Sequence, residues 1–179
     1  WFSNYIEQAQ KISNSTMQEL WARILAKEVN SPGAFSLKAL TTFKSLSIHD
    51  AKLLGKVAAL TVRDANRKNI RIISGSVQLP GLFNFFSKNR TRRVNLSQLG
   101  FNYSDLLNLA ENGLMYVQEA ESTVLTKNEV LSFNYNGQSL SFKAMKTNCV
   151  MSFYKFTPVG AEIISLISDK PDTRFLTNL

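Results

Sequence analysis

One cysteine and one histidine are all that this chain of 179 residues holds of the side chains that most often ligate transition metals or pair as nucleophile and base. Cys149 has no thiol to join, which excludes an internal disulfide and points to a reducing, cytoplasmic setting. Its neighbours, Asn148-Cys149-Val150-Met151, read as a core strand, so the thiol is taken as packing. His49 reads as a first-turn surface residue; with no second imidazole and no nearby thiol, neither a zinc site nor a Cys–His catalytic pair has sequence support. Long apolar runs are also missing. No stretch reaches the roughly 18 residues of a membrane span, and none has the layout of a signal peptide. Acidic residues are scarce, 13 Asp and Glu against 21 Lys and Arg.

What is present is an ordinary globular composition, 44% hydrophobic and 19% charged, far from that of a disordered chain. Trp1, entering at once what reads as an amphipathic helix, raises the expectation that further sequence precedes it. The positive charge is concentrated. Residues 61–95 hold eight Lys or Arg against the single Asp64, whereas residues 96–179 hold six against eight acids.

The first third has helical spacing. Phe2, Tyr5, Ile6, Ala9 and Ile12 recur three and four apart, and Met17, Leu20, Trp21, Ile24, Leu25 and Val29 make a second apolar stripe. Ser31-Pro32-Gly33 breaks that helix. A third helix is expected over Phe35–Leu46, and a fourth, capped by Ser47 with Asp50, to about Ala65. Glu28, an anion at the wrong end of its helix dipole, is expected to bond to the backbone of the Ser31–Ser36 turn. Trp21 is expected in the core.

Beyond residue 65 the pattern becomes mixed. A β-branched run, Ile70-Arg71-Ile72-Ile73, is followed by Leu82-Phe83-Asn84-Phe85-Phe86 and a basic loop. A helix is expected over Tyr103–Asn112, closed by Gly113, with Leu114–Val117 leaving it as a strand. Val130–Tyr135 and Gln138–Ala144 alternate around Asn136-Gly137, the dipeptide of a type I′ turn, so Phe133 is predicted opposite Leu140 and Leu131 opposite Phe142. Val150–Phe156 can supply a further strand. Thr157-Pro158 then starts a last helix as N-cap and first helical residue.

The segment Met17–Leu40, with its Leu-Trp-Ala-Arg-Ile-Leu-Ala-Lys-Glu helix, Pro-Gly break and Phe-Ser-Leu-Lys-Ala-Leu continuation, resembles the signature of a family of uncharacterised bacterial proteins known only as a domain of unknown function. The chain is also similar to the alpha-type abortive-infection proteins of phage defence, through its helical motif and the Thr-Pro-Val-Gly helix start at residues 157–160. That likeness implies an effector whose active part lies in a preceding N-terminal region. The C-terminal order of helix, Gly-Leu, hairpin, strand and Thr-Pro-x-Gly helix is similar to winged-helix domains. The helix in the recognition position, residues 103–112, carries Asp105 and Glu111 and no cation, which a phosphate backbone repels. None of these resemblances supplies a catalytic residue.

The fold expected is mostly α, or α+β overall: a helical bundle over residues 1–65, a basic connector over 66–95, and a winged-helix-like α+β unit with a β-hairpin over 96–179. No cofactor, metal or catalytic residue is assigned, and the chain is read as a non-enzymatic interaction or regulatory domain. Its one functional constellation is Arg63, Arg67, Lys68, Arg71, Lys88, Arg90, Arg92 and Arg93, with Phe83, Phe85 and Phe86 nearby. Those cations are either a solvated face or a site for nucleic acid or an acidic protein partner.

Overall fold

Ser36, Ser47 and Thr157 each place a side-chain oxygen where a helix has orphan amides, accepting from Ala39, Asp50 and Gly160 respectively. The helices they open are part of a computed structural model that describes residues 15–64, 66, 69–81, 90–167 and 172–179. The expected first helix, Phe2–Ile12, lies outside the described residues. The others run α1 Ser15–Asn30, α2 Leu37–Ser45, α3 Ile48–Ala58, α4 Tyr103–Glu111, α5 Pro158–Ile164 and α6 Thr173–Asn178. Glu28 does hold the break after α1, accepting from the amides of Gly33 at 2.9 Å and Phe35 at 2.7 Å.

The strands are β1 Val62–Asp64, β2 Ile70–Gln78, β3 Thr91–Arg93, β4 Ala120–Glu121, β5 Val130–Tyr135, β6 Gln138–Lys143 and β7 Cys149–Lys155. They form one antiparallel sheet in the order β4-β7-β2-β1-β5-β6, with β3 beside β2 where β1 ends. Ile72 and Ile73 are buried on opposite faces of β2, and a strand covered on both faces needs the near-continuous apolar run that starts at Ile70. Asn136 and Gly137 have positive φ, 48° and 88°, and the β5–β6 register pairs Phe133 with Leu140 and Leu131 with Phe142 as the turn dipeptide predicted.

The seven strands overturn the expectation of a mostly α chain made of an N-terminal helical bundle and a winged-helix-like unit. Two physical reasons stand out. The expected fourth helix ends at Ala58, and Val62–Asp64 becomes β1 between β2 and β5, because Val62 is completely buried when it pairs with Arg71 of β2. The apolar stripes of α1 to α3 also belong to one core cluster with the sheet, so they do not close on one another alone. They are tied to α5 and the residues just after it instead: Arg23 donates to the Leu166 carbonyl at 3.0 Å, and Ser36 donates from both N and Oγ to Glu162. The hairpin is no free wing, because β5 pairs with β1 and buries Phe133 and Tyr135. Leu114–Val117 contributes only a single bridge, Met115 to Phe156.

Trp21 is in the core as expected, packed edge-on against Phe43 at 5.1 Å. No helix among the described residues is long and apolar enough to cross a membrane.

Tyr135 locks the hairpin to the end of α3 and to the start of α6. Its hydroxyl donates to the Ala59 carbonyl at 2.6 Å and also lies 3.1 Å from the carbonyl of Asp172, while its ring meets Phe175. Burial pushes the phenol pKa above its ordinary value. The native state therefore keeps this proton at a pH where the unfolded chain has lost it, so the contribution to stability is whole below about pH 10 and fades as pH rises through the raised value. Urea unfolding of Tyr135→Phe is expected to show a loss of about 1–2 kcal/mol at neutral pH, from carbonyls left short of a donor. The variant's decline above pH 10 should be shallower than the parent's; an equally steep decline refutes the assignment.

Candidate nucleic-acid interface

Successive side chains of a strand point to opposite faces, and β3 applies that rule to the basic run. Arg92 pairs with Ser76, which in turn faces Met151, while Arg93 pairs with Gly75, which faces Ser152. The two arginines, adjacent in sequence, are thereby sent to opposite faces of the sheet. A Cβ on Gly75 would overlap the Arg92 carbonyl, so a side-chain-free residue is what lets β3 lie against β2 here. Ser74 is the extra residue of the bulge that separates Ile73 from Gly75 in the pairing with β7.

On one face, Arg90 and Arg92 line a groove of about 510 Å³ together with Lys143, at the end of β6, and Lys146. The connection from β6 to β7 runs from one edge of the sheet back towards the other, which brings these lysines beside the arginines. Leu125, Phe142, Val150 and Met151 also line it, and Met145, 74% exposed, stands in the connection. Among the described residues that line it there is no acidic side chain. Gln78 is buried there; its Nε2 reaches the Thr147 carbonyl only at 3.5 Å, and its Oε1 has no partner.

On the other face, Arg93 borders a separate cavity of about 490 Å³ between β3 and the start of α4. Arg93 Nη1 lies 3.2 and 3.3 Å from the two carboxylate oxygens of Glu119. Tyr154 lines the same space, its pKa raised by burial and then by the Glu119 carboxylate, with Arg93 pulling it back.

The remaining predicted cations divide. Arg71 is half-buried, its guanidinium 4.6 Å from the Phe153 ring and 5.7 Å from that of Phe133, with Nε buried and without a partner. Burial lowers its pKa and Asp64 raises it; the residue is a sheet-core cation held by aromatic faces. Arg63 is on β1 opposite Asn134 and Ile70. Arg71 is five residues along β2 from Ser76, roughly 16 Å at the usual strand rise, so neither Arg63 nor Arg71 belongs to the groove. Arg67, Lys68 and Lys88, with Phe83, Phe85 and Phe86, lie outside the described residues. Lys143, Lys146, Gln78, Glu119 and Tyr154 were missed from sequence. Among the described residues no three His, Cys, Asp or Glu side chains are grouped closely enough to hold a metal ion.

The comparison with protein families is decisive over the full length, since residues 1–179 match the family described as "Protein of unknown function (DUF2806)". The chain belongs to the DUF2806 family. No curated protein and no solved structure matches it. In this DUF2806 chain the described cations of the basic run are divided between the two faces of β3.

Proposed function

We propose that this domain is a non-enzymatic binding module for single-stranded nucleic acid, with the groove of Arg90, Arg92, Lys143 and Lys146 as its backbone site. The observation that carries this reading is the convergence of four cations, from two distant parts of the sequence, on a groove whose described lining includes no acidic side chain. Cations gathered this way release condensed counterions when they meet phosphates, which supplies affinity without sequence readout. The apolar lining, Leu125, Phe142, Met145 and Met151, favours unpaired bases over the phosphate-covered outside of a duplex.

The test is fluorescence anisotropy with labelled single strands of about 16 nucleotides, at the upper end of site sizes for such modules. Four contacts predict that log affinity falls with log salt at a slope of about −3 between ~50 and 200 mM. Absence of binding at the low-salt end overturns the proposal. Equal affinity for polyglutamate overturns it too, in favour of an acidic protein partner.

A further inference from the structure

The cavity on the opposite face of β3 offers an acceptor and a donor side by side. Glu119 supplies two carboxylate oxygens and Arg93 a guanidinium, and both oxygens approach one nitrogen at 3.2–3.3 Å, longer than the ~2.7–2.9 Å of a closed charge-assisted pair. Nη2 and Nε of Arg93 have no further bond among the described residues. Ser74, 4% exposed, lines the same cavity, and its Oγ is buried with no hydrogen-bond partner. A buried hydroxyl left unbonded costs free energy, so this group is one a ligand can satisfy. The walls are apolar at Val94, Phe101 and Leu106, and Tyr103, 66% exposed, stands where a ring can stack. The volume, about 490 Å³, is within the ordinary range for small-ligand sites.

We infer that this cavity is a base pocket selective for guanine. Guanine alone among the common bases carries two adjacent N–H donors, N1 and N2, beside the O6 acceptor. That edge matches the Glu119 carboxylate flanked by the Arg93 guanidinium once Nη1, which stands before both carboxylate oxygens at 3.2 and 3.3 Å, swings aside to O6. Adenine presents the unprotonated N1 to the same carboxylate and is repelled; cytosine and uracil lack the donor pair. Tyr154, hydrogen-bonded to Glu119 in the same cavity, is a positioning residue for the carboxylate. The base has two sources: a free guanine nucleotide, or a guanine in the strand held by the Arg92 groove. The second source rests on the function proposed above; the first does not.

Calorimetric titration of the full chain with GMP and with AMP reads the pocket directly and requires no variant. GMP is expected to bind at least about tenfold more tightly, the usual worth of a matched two-point contact. Glu119→Gln, which replaces one of the two acceptor oxygens by a donor, should abolish that ratio, and Ser74→Ala should weaken GMP alone. Equal affinity for GMP and AMP, or binding of neither, overturns the inference. The two proposals fail separately. Oligonucleotide binding without guanine preference and without competition by GMP sinks the pocket and leaves the groove. GMP binding with no oligonucleotide binding sinks the groove and assigns the pocket to the free nucleotide.

Discussion

Gly160→Ala is expected to lower the thermal midpoint by about 10 °C, following from a cost of about 3 kcal/mol in a chain of this size. Gly160 is the third residue of α5, and a Cβ there would overlap the main-chain carbonyl of Leu114. Backbone offers no rotamer to swing away, so relief requires the first turn of α5 to lift. That turn is held by the Thr157 amide on the Leu114 carbonyl at 3.0 Å and by Thr157 Oγ1 on the Gly113 carbonyl at 2.6 Å. Lifting it also strains the Glu162 bonds to Ser36, which join the N-terminal helices to the rest of the molecule. Circular dichroism melts of the variant and the parent measure the shift. A midpoint within a few degrees of the parent's would show that α5 can move freely, contrary to the packing described here.

The same helix shows where sequence was readable. Thr157 and Pro158 announced its start because capping chemistry is local, and the Asn136-Gly137 turn set a hairpin register for the same reason. Glu28 was legible through its conflict with the helix dipole. What failed was long-range. The stripes of α1 to α3 told that each helix has an apolar face, yet periodicity carries no word on whether that face meets another helix or a sheet. Ile70–Ile73 is too short a run to separate a connector from a central strand, and the spacing of Val62 continues that of a helix whose last turn it does not join. Once β2 was misplaced, the sheet that recruits β1 and the hairpin had no centre, and a winged helix was the nearest arrangement of the remaining pieces.

The candidate site was half legible for a related reason. Charge density pointed to Arg90, Arg92 and Arg93, but a linear cluster is a surface cluster only if the backbone presents it on one side. Strand alternation divides Arg92 from Arg93, and aromatic rings take Arg71 into the sheet. Lys143 and Lys146 join from about fifty residues away, because the connection from edge strand β6 crosses the sheet to reach β7. Glu119 was invisible as a partner of Arg93, since the segments carrying them meet only when β3 joins β2 and β4 joins β7 in one sheet.

The division across β3 gives the sharpest expectation for binding. Arg92→Gln with Lys143→Gln removes two of the groove's four cations, so the salt slope should fall from about −3 to about −1.4, with affinity for an adenine-only strand at low salt reduced on the order of 50-fold. Arg93→Gln removes the same charge one residue away and changes the net charge of the chain as Arg92→Gln does. Because its side chain is on the far face, paired with Glu119, it should leave adenine-strand affinity within about threefold while erasing any preference for guanine. Anisotropy titrations of the two single variants and the double variant supply all of these values. If Arg93→Gln weakens the adenine strand as much as Arg92→Gln does, binding follows net charge alone, and the separation of a phosphate groove from a base pocket fails with it.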